Sequence, residues 1–150
     1  MKAVIQRVLE ASVTVNHNRI SEIKEGLLIL LSITDDDTNE DLTWLSHKIA
    51  NLRIFNDAKG VMNHSLIDQK GEAIVVSQFT LHAATKKGHR PSYIKAAKPD
   101  YALPMYEQFV VQFEKDIKKQ VQKGEFGADM KVHLINDGPV TIIIDTKDKK

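Results

Sequence analysis

The sequence predicts a single α/β domain over residues 1–150 in which strand pairing dominates. Three observations lead there. Residues 27–33 are a nearly unbroken run of Leu and Ile, and "EAIVVSQFTL" from residue 72 is a second such stretch, as expected of strands buried on both faces. Residues 3–9 and 11–15 alternate Val and Ile with other side chains, the period of a strand. Two later segments instead place apolar residues at helical spacing.

Taken in order, 3–9 and 11–15 read as two strands. "HNR" at 17–19 is a turn, followed by a short strand at Ile20–Ile23. Gly26 opens the buried run. The acidic stretch "DDDTNED" at 35–41 is explained by helix capping, with Thr38 and Asp41 as the pair and carboxylates near the positive helix end. Leu42, Leu45, Ile49 and Leu52 carry that helix through about Phe55. "NDAKG" at 56–60 and "DQKG" at 68–71 read as turns. From His82 to Pro99 the apolar period disappears and a long loop is expected. Tyr101, Met105, Phe109, Phe113, Ile117 and Val121 then mark a second helix. Pro104 requires that this helix start near it or have a distorted first turn. Gly124 and Gly127 end the region, and 130–135 and 140–146 read as two closing strands.

Composition narrows the chemistry. A chain of 150 residues with 42% apolar and 27% charged residues fits one soluble domain. The net charge of +1 says little about partners. The absence of cysteine removes disulfides and thiolate chemistry and fits a reducing compartment. The longest apolar run, residues 26–33, is far short of the roughly 20 residues of a spanning helix. The N-terminal segment lacks a signal-peptide pattern. A cytoplasmic protein without a membrane partner is the expectation.

The six histidines, at 17, 47, 64, 82, 89 and 133, show no metal-ligand spacing, so no metal is expected. His47 reads as a surface residue, while His82 and His89 flank the loop and could meet a substrate. Ser77 lacks the glycine-rich turn of a hydrolase nucleophile. Ser77 and Thr80 can therefore be hydroxyls that serve backbone groups at a strand end. Alternatively the strand end is itself a site, its free N–H groups polarising a carbonyl. Between 82 and 99 stand Lys86, Lys87, Arg90, Lys95 and Lys98 with no acidic residue. Such a loop suits a phosphate backbone, or is simply solvated. Gly138-Pro139 reads as a turn that starts a strand. Only about 5–6% of X-Pro bonds are cis, so the residues alone favour trans.

Beyond these local readings, the chain resembles the D-aminoacyl-tRNA deacylases from end to end. "VIQRV" at 4–8, "KIANLRIFND" at 48–57, "SQFTL" at 77–81, "KGHRPSY" at 87–93, "GEFGADM" at 124–130 and "NDGPVT" at 136–141 carry the resemblance in order. It implies a homodimer of subunits with a barrel-like, β-rich sheet and two main helices. It implies hydrolysis of the ester between a D-amino acid and tRNA, and of mischarged glycyl-tRNA, without metal or cofactor. Ser77, Gln78, Phe79 and Thr80 would hold the terminal adenosine and the scissile carbonyl. Gly138 and Pro139, joined by a cis bond, would enter the partner subunit's pocket and exclude an L side chain. Lys86, Lys87 and Arg90 would contact the tRNA. Much of the catalysis would come from the tRNA's own 2′-hydroxyl, with Thr80 as nucleophile the minority alternative.

The chain departs from the family pattern at three places. His82 stands where Tyr is usual, Ala84 where an acidic residue is usual, and Ser32 where Gly is common. All lie outside the two signatures and bear on the pocket edge. Two other readings remain at this level: a tRNA-binding protein without catalysis, and a small-molecule esterase unrelated to RNA.

Overall fold

The computed structural model describes residues 1–149, and one long strand organises its sheet. Along one edge β1 (Lys2–Val15) pairs antiparallel with β8 (Lys131–Asp145), from Lys2↔Asp145 to Thr14↔Lys131. Its other edge is shared: β3 (Gly26–Ser32) takes residues 2–8 and β2 (Asn18–Ile23) takes residues 11–15. β6 (Glu72–Ser77) adds parallel to β3, and the short β7 (Gln122–Lys123) adds parallel to β6. The Ser21 hydroxyl donates to the Lys123 carbonyl and ties β2 to β7. A bent strand with partners on both edges gives a nearly closed, barrel-like sheet.

Both faces of β3 are buried, for a reason visible in its alternation. Leu27, Ile29 and Leu31 face the two main helices, α1 (Asn39–Ala50) and α3 (Pro99–Ile117). Leu28 packs on the other side with Val8, Val13, Ile74 and Val76, inside the barrel. Gly26 lets β3 meet β6, because a Cβ there would lie 1.8 Å from the Glu72 carbonyl oxygen. No helix among the described residues is long and apolar enough to cross a membrane.

Several boundaries differ from the sequence reading. The two expected N-terminal strands are one, kinked where the pairing to β8 shifts register between Gln6 and Glu10. The Thr38–Asp41 capping box forms as expected. α1 stops at Ala50, however, because the Asn51 side chain takes the His47 carbonyl at 2.8 Å. The next residues form a hairpin, β4 (Phe55–Asn56) with β5 (Met62–His64), then a one-turn helix, α2 (Leu66–Gln69), capped by Ser65 and Asp68. Helix α3 begins before Pro104, at Pro99, and ends before Val121 at the left-handed Lys118. Pro104 lies on the exposed face, where water can serve the carbonyl it leaves without a donor.

The two expected closing strands are likewise one strand, β8. Between Gln6↔Thr141 and Val8↔Asn136, residues 137–140 of β8 stand opposite Arg7 alone. Gly138-Pro139 is therefore the crest of a bulge inside a strand and not a turn before one, and its peptide bond is cis. The bond corrects the local expectation of trans and agrees with the resemblance.

Candidate active site

Strand β6 ends at Ser77, and the chain tightens at once into a 3₁₀ turn, Phe79–His82. The expected strand through Leu81 is thus cut short. The Gln78 amide still reaches the Leu31 carbonyl at 2.8 Å, but beyond it the ladder stops. Among the described residues, the amides of Phe79 and Thr80 have no backbone acceptor. Phe79 is exposed and Thr80 half-buried, so these two N–H groups at the strand end are open to water or to a ligand.

A cavity of about 400 Å³ opens at this strand end, between the ends of β3 and β6, the start of α3 and Phe126–Gly127. Ser77, Gln78 and Phe79 form one side, and Tyr93, Ala97 and Lys98 another. Its wall is largely apolar and contains neither a carboxylate nor a histidine. Phe79 is 56% exposed and meets the Tyr93 ring edge-on, with centroids 5.2 Å apart. That pair offers an aromatic platform at the mouth. The Gln78 side-chain amide donates to the Thr80 hydroxyl, which fixes both side chains on the turn.

Ser32, buried to 1% exposure at the end of β3, sits beneath the turn. Its Oγ is 3.3 Å from the Phe79 carbonyl and 2.6 Å from His82 Nδ1. Burial, with Lys2 and the chain's terminal ammonium adding to it against Asp37 and Asp145, holds the His82 imidazole below the ordinary histidine range. It is neutral at pH 7.

The loop that follows is pinned beside the cavity. Ala84 and Ser92 exchange backbone hydrogen bonds of 2.8 and 3.0 Å, and Tyr93 returns the chain to Phe79. Lys86, Lys87, His89 and Arg90 are exposed on the closed segment between them. Among the described residues, none of the three cations has an acidic partner. Within the same residues, no group of three His, Asp or Glu side chains is placed to hold a metal.

Gly138 and Pro139 are not part of the cavity wall. Both are exposed on the β8 bulge, and a buried arginine that the sequence reading did not single out holds that bulge. Arg7 donates from Nε to the Asp137 carbonyl at 3.1 Å and from Nη1 to the Ile54 carbonyl at 2.6 Å. Asp137 also places a carboxylate oxygen 3.3 Å from Nε. Asn136 closes the loop from the other side, its Oδ1 accepting from the Val140 amide at 2.9 Å and its Nδ2 donating to Thr141 Oγ1 at 2.9 Å. The one available signal was Arg7 itself, a charged residue at a position that the alternation of Ala3 and Ile5 assigns to the buried face.

The profile of the family described as D-Tyr-tRNA(Tyr) deacylase matches residues 4–145. A D-aminoacyl-tRNA deacylase of Flavobacterium psychrophilum is 63% identical over 150 residues, covering all of both chains. One from Bacteroides fragilis is 57% identical, again over the whole of both. Among solved structures, one titled "c-Myc DNA Unwinding Element Binding Protein" superposes with a TM-score of 0.92 at 42% identity, covering 97% of this chain and 98% of the other. A probable eukaryotic D-amino acid tRNA deacylase has a TM-score of 0.83 at 15% identity, over 95% and 97% of the two chains, and shares the fold.

Proposed function

The chain belongs to the D-Tyr-tRNA(Tyr) deacylase family, and from that membership we propose that it hydrolyses the ester joining a D-amino acid to tRNA at the β6 strand end. The observation that carries the assignment of the site is the pair of unpartnered amides on successive residues, Phe79 in the wall of a cavity with an aromatic mouth and Thr80 next to it in the chain. Amides aimed at a carbonyl oxygen stabilise the charge that develops during ester hydrolysis. The terminal adenosine stacks at Phe79 and Tyr93, Ser77 and Gln78 hold it, and the ester lies by the two amides. Mischarged glycyl-tRNA, lacking a side chain, is accepted for the same reason as a D substrate.

Chiral selection, in this reading, comes from Gly138 and Pro139 of a second copy. They are exposed and lie outside this chain's own cavity, so a homodimer is needed to bring them to a substrate. The bulge anchored by Arg7 then offers its carbonyl oxygens to the substrate's α-amino group and leaves no room for an L side chain. The direct test is a time course with purified protein on D-tyrosyl-tRNA and L-tyrosyl-tRNA, before and after exhaustive chelation. Release of the D-amino acid alone, unaffected by chelation, is expected. Equal hydrolysis of both, or turnover restored only by added metal, would refute the reading.

Lys86, Lys87 and Arg90 serve the RNA rather than the ester. Each phosphate neutralised contributes a salt slope of about −0.9 for a duplex. The triple alanine variant should bind tRNA more weakly, with a slope shallower by up to about 3, and similarly for different D-amino acids. Filter binding across a salt series measures this. An unchanged slope would make the loop ordinary solvated surface.

A further inference from the structure

Ser32 and His82 meet beneath the strand end although 50 residues separate them. A serine hydroxyl carries one proton, and here two acceptor positions compete for it: the Phe79 carbonyl and His82 Nδ1. If the neutral imidazole carries its proton on Nε2, Ser32 must donate to Nδ1 and the Phe79 carbonyl loses its side-chain donor. If the proton is on Nδ1, His82 donates to Ser32 Oγ, and Ser32 donates to Phe79. Only the second arrangement gives the Phe79 carbonyl a side-chain donor beside the backbone bonds of the 3₁₀ turn. It also leaves the Nε2 lone pair free, and His82 lines a polar groove together with Lys2, Lys95 and Asp145.

The Phe79 carbonyl and the Thr80 amide belong to one planar peptide unit, so fixing the C=O direction fixes the N–H direction. We propose that His82, as its Nδ1–H tautomer, and Ser32 form a two-bond relay that orients the Phe79–Thr80 peptide, making both positioning residues for the strand-end site. His82 lies outside the cavity wall, and Ser32, which lines it, acts here through the peptide and not on the ester. Their effect is on how well the Thr80 amide is aimed, hence on the chemical step more than on tRNA binding. The catalytic consequence rests on the proposed strand-end reading; the relay itself does not.

Two measurements separate them. Nitrogen NMR on protein labelled with ¹⁵N-histidine, recorded without substrate above pH 7, should show His82 protonated at Nδ1. The His82→Asn variant identifies the resonance by its loss. An Nε2–H tautomer overturns the relay whatever the activity. In single-turnover hydrolysis of D-tyrosyl-tRNA, Ser32→Ala and His82→Phe should each lower the rate about 3- to 10-fold, the range of one net hydrogen bond, with tRNA affinity unchanged. His82→Asn keeps a donor near the Nδ1 position and should recover most of the loss. The Ser32→Ala/His82→Phe double variant should be no slower than the slower single one, because both break the same relay. Equal losses for Asn and Phe at position 82, or additive losses in the double variant, overturn the proposal. If His82→Phe fails to fold, Ser32→Ala and the NMR result still decide. Wild-type protein with the Nδ1–H signal but no deacylation would reject the enzyme reading and retain the relay.

Discussion

Replacing Gly138 by alanine is expected to slow hydrolysis of D-tyrosyl-tRNA on the order of 100-fold and to lower stability by about 1–3 kcal/mol. The residue has φ +129°, a region that side-chain-bearing residues rarely adopt. An added Cβ would also lie 2.9 Å from Val140 Cγ2, 3.1 Å from Arg7 Nη2 and 3.2 Å from the Val140 amide nitrogen. The arginine cannot yield freely, because the same guanidinium holds the Ile54 and Asp137 carbonyls. The bulge must therefore move, carrying the Gly138 carbonyl with it. A displacement near 1 Å in a positioning element costs about two orders of magnitude in rate. Gly60→Ala is the control: its φ is +76° but nothing lies within 4 Å of the added carbon. That variant should lose some stability and keep its rate. Thermal unfolding and single-turnover deacylation on both variants decide the matter. A folded Gly138→Ala protein with the wild-type rate and no hydrolysis of L-tyrosyl-tRNA would remove the bulge from substrate recognition.

How much of this was legible in the sequence depends on the range of the interaction involved. The Thr38–Asp41 capping box and the two-sided burial of β3 are local, and the residue pattern states them outright. The β4–β5 hairpin and α2 were read only as turns, since strands of two and three residues are too short to show a period. The continuity of β1 and β8 was missed for a different reason. Each strand is interrupted in pattern near its own bulge, at Leu9 in β1 and at residues 137–140 in β8, and pairing across the sheet, not local preference, keeps both extended.

The site divides in the same way. The polar strand end at Ser77–Thr80 and the cationic loop were visible as departures from an apolar period. The cis bond was not, because local chemistry favours trans and only the resemblance suggested otherwise. Arg7 could be noticed as a charge within a buried strand, but its partners lie 47 and 130 positions away. Ser32 and His82 stood out separately as departures from the family pattern. Nothing in the sequence joins them, because their contact exists only once β3 and the turn after β6 lie side by side.

A substrate ending in 2′-deoxyadenosine should be hydrolysed 10²- to 10⁴-fold more slowly than one with the hydroxyl, the span of a positioned acid–base group. The cavity wall holds no carboxylate and no histidine to activate water. Thr80 Oγ1 accepts from Gln78 and has no base beside it in the cavity wall, and His82 Nδ1 is turned to Ser32, beneath the turn. The amides of Phe79 and Thr80 can stabilise an oxyanion but cannot accept a proton. The vicinal hydroxyl of the terminal ribose is adjacent to the ester in any bound pose, and in the proposed reading it supplies the missing group. Ser77→Ala and Thr80→Ala should then each keep turnover within about 10-fold of wild type, since each removes at most one or two hydrogen bonds. A nucleophilic residue behaves otherwise: its loss leaves a trace of activity, and its acyl intermediate can be trapped. The deoxy substrate must be shown to bind as tightly as the ribo form, so that the rate alone is compared. Undiminished hydrolysis of the deoxy substrate, together with an inactive Thr80→Ala protein or an acyl group trapped on Thr80, would transfer the chemistry from the RNA to the protein.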